Sequence, residues 1–280
     1  MANVGKVSLG TSSWSTPGWV GPFYPKGTKS ADFLAHYAQH FRSVEADVTY
    51  YRVPSQSMVS GWRDQTPESF KICAKFPRSV VHAGTGPKPD PARVLIPSAV
   101  QVDTEAFLSA MSLLGDRCGP LVLQFPYFSA SCFPEADEFL DRLDDYLGQL
   151  PKDFRYAVEV RNRAWLGKPL TEMLRRHEVA LVLVEMGYMP HPADVASRLD
   201  VVTTDFLYGR LVGDRKAVEA RSKRFDEIVV DQSASLQRWA DLVGALSERA
   251  TRTWLFANNH YAGHGPATIR ELGDLMGLGS

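Results

Sequence analysis

The chain has 280 residues, 44% hydrophobic and 22% charged, with 31 basic side chains against 32 acidic ones. That length buries a large core without disulfides or a structural metal, and the near-zero charge balance leaves no global field to draw in nucleic acid or an acidic membrane. Cys73, Cys118 and Cys132 are odd in number and lack metal-ligand spacing; no secretion signal opens the chain, and no apolar run reaches the roughly 18 residues that span a bilayer, so a cytoplasmic protein without membrane contact is expected.

The first strand is read over residues 7–13. A loop rich in Pro, Gly and aromatics follows (PGWVGPFYPKG, 17–27), a composition that fits neither helix nor strand. Ser30 can cap a helix over 31–41 with Phe33, Leu34, Tyr37 and Phe41 on one face. The second strand, 43–50, carries Glu45 and Asp47 on one face. A short helix at 57–62 and the third strand, 71–76, come next, with Lys75 near the strand's end and His82 shortly after. Residues 82–97 read as a long loop and 103–114 as a helix. The fourth strand, 120–126, has Gln124 as its one polar side chain, and 134–150 is an acidic amphipathic helix.

The fifth strand, 155–161, places Glu159 and Arg161 on the same face, because side chains two apart on a strand point the same way. A carboxylate and a guanidinium in so apolar a segment need each other, or a ligand, to offset desolvation. A helix at 165–177 leads to the sixth strand, 180–186, with Glu185 near its end. The seventh, 206–212, carries Arg210; the run 215–224 is charged; 235–249 is a strong amphipathic helix. The eighth strand, 253–259, ends in Asn258 and Asn259, and a last helix covers 266–276.

Eight short apolar strands separated by helical segments predict an α/β fold, a single-domain (β/α)8 TIM barrel over 1–280 with the Pro/Gly/aromatic-rich segment as its first loop. No dinucleotide fingerprint or phosphate loop is present, and no cofactor is expected. A barrel's active site lies at the C-terminal ends of its strands, where Trp14, Glu45, Asp47, Tyr51, Lys75, Gln124, Glu159, Arg161, Glu185, Arg210, Asn258 and Asn259 fall. A glycosidase pair could come from Glu159 and Glu185, but strands four and seven carry Gln124 and Arg210 instead of carboxylates. His82, His260 and His264 lack the density of a metal site, so no metal is expected. A Schiff-base role for Lys75 is disfavoured by the nearby acids.

At VEADVTYYRVP, KFPRSVVH, LVLQFP, AVEVRNRAW and FANNHYAGHGP, and at the opening GTSSWSTPGWVGPFYPKG, the sequence resembles the YecE-like family, domain of unknown function 72. The match runs from about Val7 to Ile269. It implies a TIM barrel of unestablished activity and points to Trp14, Trp19, Tyr24, Glu45, Tyr51, Lys75, His82, Gln124, Glu159, Arg161, Trp165, Arg210 and Asn259. Two departures stand out: Glu185 replaces the usual Asp after strand six, and RLVGD lacks a His that many members carry after strand seven.

The leading expectation is an enzyme acting on a small anionic, sugar-phosphate-like ligand, with Glu159 or Glu45 as base and Lys75 as a further catalytic group. Arg161, Lys75 and Arg210 would contact the anion, Asn258 and Asn259 would donate hydrogen bonds, and Trp14, Tyr51 and Trp165 would form walls; His82, Gln124 and Glu185 complete the expected binding set. Two other classes compete. One is a nucleic-acid-binding protein, using Trp19, Phe23 and Tyr24 for stacking and the 215–224 run for phosphate. The other is a metal-dependent phosphodiesterase.

Overall fold

A computed structural model describes residues 7–83, 86 and 88–278. It contains eight parallel strands: β1 (Val7–Thr11), β2 (Ser43–Ala46), β3 (Lys71–Lys75), β4 (Cys118–Gln124), β5 (Tyr156–Glu159), β6 (Ala180–Met186), β7 (Phe206–Gly213) and β8 (Arg252–Ala257). They pair in the order β1-β8-β7-β6-β5-β4-β3-β2, which curls the sheet into a nearly closed barrel. Helices between successive strands, among them Pro97–Ser112, Ala136–Gln149, Lys168–Arg176, Ser233–Leu246 and Gly265–Leu275, cover its outside. This is the expected (β/α)8 TIM barrel. No helix among the described residues is long and apolar enough to cross a membrane.

Alternation along each strand divides the core in two. Ile72, Ala74, Leu121, Leu123, Val158, Leu181 and Leu183 face the helices. Cys73, Val122, Ala157, Val182, Tyr208, Trp254 and Phe256 fill the barrel itself, so its interior is packed rather than hollow.

β1, β2, β3, β5 and β8 are shorter than their apolar patterns predict. β2 stops at Ala46 because the chain turns at once into a one-turn helix, Val48–Tyr51. β5 stops at Glu159, and β8 stops at Ala257, where the Asn258 side chain caps the turn Asn259–Ala262. The first loop holds a short 3-10 turn, Pro17–Trp19, contrary to its composition.

No ladder joins β1 to β2 among the described residues; a side chain bridges the seam instead. The Tyr37 hydroxyl accepts from the Thr11 amide (2.8 Å) and donates to the Ser43 carbonyl (3.2 Å). The strands come so close that a Cβ on Gly10 would lie 2.2 Å from the Ser43 carbonyl oxygen, which only glycine avoids. Tyr37 is fully buried, so removing its hydroxyl strands a buried amide and a buried carbonyl. Tyr37→Phe is expected to cost about 1–3 kcal/mol in urea unfolding. An unchanged midpoint would mean that the hydroxyl does not close the seam.

Candidate functional site

At the C-terminal end of the barrel, five ionisable side chains from four strands or their ends meet around one guanidinium. Arg210, on β7 between inward-facing Tyr208 and Val212, donates from Nε and Nη2 to Glu45 Oε1 on β2 (3.1 and 3.0 Å). Its Nη1 donates to Gln124 Oε1 on β4 (2.9 Å) and to Glu159 Oε2 on β5. The Tyr208 hydroxyl donates to the other Glu45 oxygen (2.8 Å), and Lys75 Nζ on β3 stands 3.4 Å from Glu45. Arg161 Nε, just past β5, donates to Glu159 Oε1 (2.7 Å). Thr49 ties the end of β2 to β3 by donating to the Lys75 carbonyl (2.7 Å) and accepting from its amide (3.0 Å).

Burial sorts these groups by depth. Glu45 and Glu159 have no exposed surface and Arg210 has 2%, whereas the Arg161 side chain keeps 20%. Burial alone would raise both glutamates. For Glu159, Arg210 and Arg161 outweigh it and hold the carboxyl down at about 2. For Glu45, Arg210, Lys75 and the Tyr208 hydrogen bond do the same, and its pKa is also lowered. Burial, helped by Arg210, pulls the Lys75 ammonium below its ordinary range despite Glu45 and Asp47. Burial, helped by Glu45, pushes the Asp47 carboxyl up despite Lys75.

That arrangement corrects several expectations. Glu159, its carboxyl held down at about 2 between two guanidiniums, is a poor proton acceptor at neutral pH, and Glu45 is bound to Arg210 and Lys75 with its pKa lowered as well. Arg210 commits its guanidinium to two glutamates and Gln124, and lies buried beneath them. Glu185 lies outside the barrel altogether. It shares the outward phase of Leu181 and Leu183, and it accepts from Ser235 Oγ (2.6 Å), Trp239 Nε1 (2.6 Å) and the Tyr261 hydroxyl (2.8 Å) on the helix side.

Asn259 ties the two ends of the fold together, accepting from Trp19 Nε1 (3.1 Å) and the Gly265 amide (2.9 Å) while donating to Thr16 (3.0 Å). Asn258 spends its oxygen on the His260 amide (2.9 Å). Trp165 stacks on Phe128 and Phe139, and the half-buried Trp14 meets Trp62 edge to face. His82 is buried below the loop that follows β3. Trp19, Phe23 and Tyr24 are buried as well and cannot stack on a nucleic acid. The 215–224 run is largely self-paired: Arg215 with Glu219, Arg224 with Asp226, and Arg221 on the Ala217 carbonyl.

Around the opening stand groups that the sequence reading did not select. Asp47 was noted at the end of its strand and then passed over. Tyr127 and Tyr188 follow β4 and β6 and, with the expected Tyr51, are among the most exposed aromatic rings of the molecule. The three rings stand on the segments that follow β2, β4 and β6, at one end of the barrel. Among the described residues no group of three or more His, Cys, Asp or Glu side chains gathers as metal ligands do.

Comparison with known proteins fits this geometry into a family. The family described as "Protein of unknown function DUF72" matches residues 8–280. The chain belongs to the DUF72 family. Escherichia coli UPF0759 protein YecE is 34% identical over 163 residues, which are 58% of this chain and 51% of that protein; the chain thus spans about half the length of the curated relatives it matches. A DUF72 family protein from Thermotoga maritima superposes with a TM-score of 0.67 at 26% identity, covering 97% of this chain and 99% of that one. Another, from Enterococcus faecalis, gives 0.69 at 19% identity, covering 97% and 98%, and supports the fold alone.

Arg210→Met leaves Glu45 and Glu159 without their shared counter-charge, and a loss of about 3–5 kcal/mol in unfolding free energy is expected. Stability equal to the parent chain would show that the guanidinium is dispensable. The ionised Glu159 carboxylate has a folded pKa depressed to about 2 from an ordinary 4.5. Its stabilising contribution is therefore fully present above the unfolded-state value and lost as pH falls toward 2. Glu159→Gln should flatten stability against pH across that window; an acid limb as steep as the parent's would assign it to other carboxylates.

Proposed function

We propose that the barrel mouth binds a small anionic, sugar-phosphate-like substrate and transforms it by general acid–base chemistry. The observation that carries this reading is a charge surplus. Lys75, Arg161 and Arg210 supply three cations against the two carboxylates of Glu45 and Glu159. Asp47 is the further acid at this end, and burial pushes its carboxyl above the ordinary range. An anion entering the mouth would supply the missing charge.

Within this reading Arg161, the least buried of the three cations, contacts the anion. Glu45, Glu159, Gln124 and Arg210 form a fixed base beneath it that holds Arg161 and Lys75 in place. Lys75 and Asp47, shifted toward neutrality from opposite sides, are the pair suited to move a proton. The Lys75 ammonium, which carries part of the surplus, would deliver a proton to the substrate and take one back from it as the amine, with Asp47 as its acidic neighbour. Tyr51 and Tyr188 would close over the bound molecule.

The test is a screen of the purified protein against phosphorylated sugars and small acids, followed by turnover assays. Lys75→Met should reduce turnover at least roughly a hundredfold, the usual scale of a proton-transfer group. Arg161→Gln should mainly raise KM. Anion binding and turnover left intact by both changes would reject the reading.

A second reading rests on Tyr51, Tyr127 and Tyr188. Rings spaced around a cationic floor could stack the bases of a single strand of nucleic acid. It predicts binding to an oligonucleotide that weakens steeply with salt and falls when the three tyrosines are changed to alanine. Absence of a gel shift at low salt would remove it.

A further inference from the structure

Beside the mouth, between the loop after β5 and the loop after β6, lies a surface cavity of about 250 Å³. Three cations line it, Arg163, Lys168 and Arg198, and no acidic residue does. Neither the Arg163 nor the Lys168 side chain has an ion-pair or hydrogen-bond partner among the described residues. Arg198 uses Nε on the Asp194 carbonyl (3.0 Å), which leaves its terminal nitrogens uncommitted. The nearby Asp194 carboxylate is itself taken by Arg238 (2.5 Å). Three like charges around one concavity repel one another until a counter-charge arrives.

We infer that this cavity is a second anion site, built for the phosphate of a phosphate monoester. Charge matching favours a phosphate dianion over a carboxylate, because one negative charge leaves two of the three cations unmatched. Guanidinium forks suit phosphate oxygens, and two of the three side chains are arginines. The first turn of the helix Lys168–Arg176 also opens here: Gly167 caps it with no side chain, so no carboxylate or hydroxyl of the cap competes for its amides.

The remaining wall is apolar. Leu166, Pro190 and Val195 line the cavity and also border a void of about 20 Å³ that reaches the outer side of β6. Carbon attached to the phosphate would rest on that wall, which selects an ester over the free ion. The site does not depend on the reading of the mouth. Arg161 turns to Glu159, whereas Arg163, two residues on, lines the separate cavity.

Amide chemical shifts of the full chain, followed by NMR while inorganic phosphate and then phenyl phosphate are added, test the assignment. The expected result is saturable movement of the Leu166, Gly167 and Lys168 amides, with phenyl phosphate binding more tightly than phosphate. The exposed double variant R163Q/K168Q should weaken both by at least about tenfold, while R161Q leaves these shifts in place. Unmoved amides at 166–168, or equal affinity in R163Q/K168Q, would overturn the inference. Shifts confined to the mouth and abolished by R161Q would overturn it too, while supporting the proposed function.

Discussion

One buried guanidinium holds the C-terminal end of this barrel together. Arg210 reaches from β7 to Glu45 on β2, Gln124 on β4 and Glu159 on β5, so a single side chain spans the barrel's width. Charges so far from water survive only if every donor and acceptor is met, and here almost every polar atom of the cluster has a partner. The arrangement fixes relative strand positions in a barrel whose β1/β2 seam, among the described residues, is bridged by the Tyr37 and Ser43 side chains instead of a ladder. It also decides which groups are left to do chemistry. Glutamates bound to arginine become fixed negative charge, and in the proposed function the chemistry falls to Lys75, Arg161 and Asp47.

The packed interior has a related consequence. Tyr208, Trp254 and Phe256 fill the barrel below the charged layer, so the proposed ligand would lie on that layer, among the loops. Its neighbours there are the exposed tyrosines after β2, β4 and β6. The outer cavity around Arg163 and Lys168 continues the same cationic character past the rim on the β5–β6 side. Both proposed sites would take negatively charged ligands, yet through separate side chains, so each can be lost without the other.

The fold was legible because buried parallel strands read as short apolar runs and their helices as amphipathic segments; strand six was read with both its ends in place. The meeting of Glu45, Lys75, Gln124, Glu159, Arg161 and Arg210 followed from strand ends and alternation alone. What stayed hidden has physical causes. Glu185 sits at a strand end like the others, but its phase turns it outward, and phase at the last residues of a strand depends on where the strand stops. Trp165, Asn259 and Trp19 are residue types that suit a binding site equally well; only their contacts reveal packing and loop-tying roles. The passing over of Asp47 reflects the early end of β2, which brings that carboxyl beside Lys75 rather than further along a strand. The cavity beside the mouth joins residues thirty positions apart on two loops, a juxtaposition that no local pattern encodes.

The central claim is that Arg210 and Arg161 hold the Glu159 carboxyl far down while burial pushes the Asp47 carboxyl up. Carboxyl-carbon NMR titration of the folded chain reads both groups directly. Glu159 is predicted to remain ionised toward pH 2, for as long as the fold persists, and Asp47 to take up its proton above the ordinary aspartate value of 3.8. Glu159 titrating near 4.5 with the exposed glutamates, or Asp47 titrating below 3.8, would contradict the account.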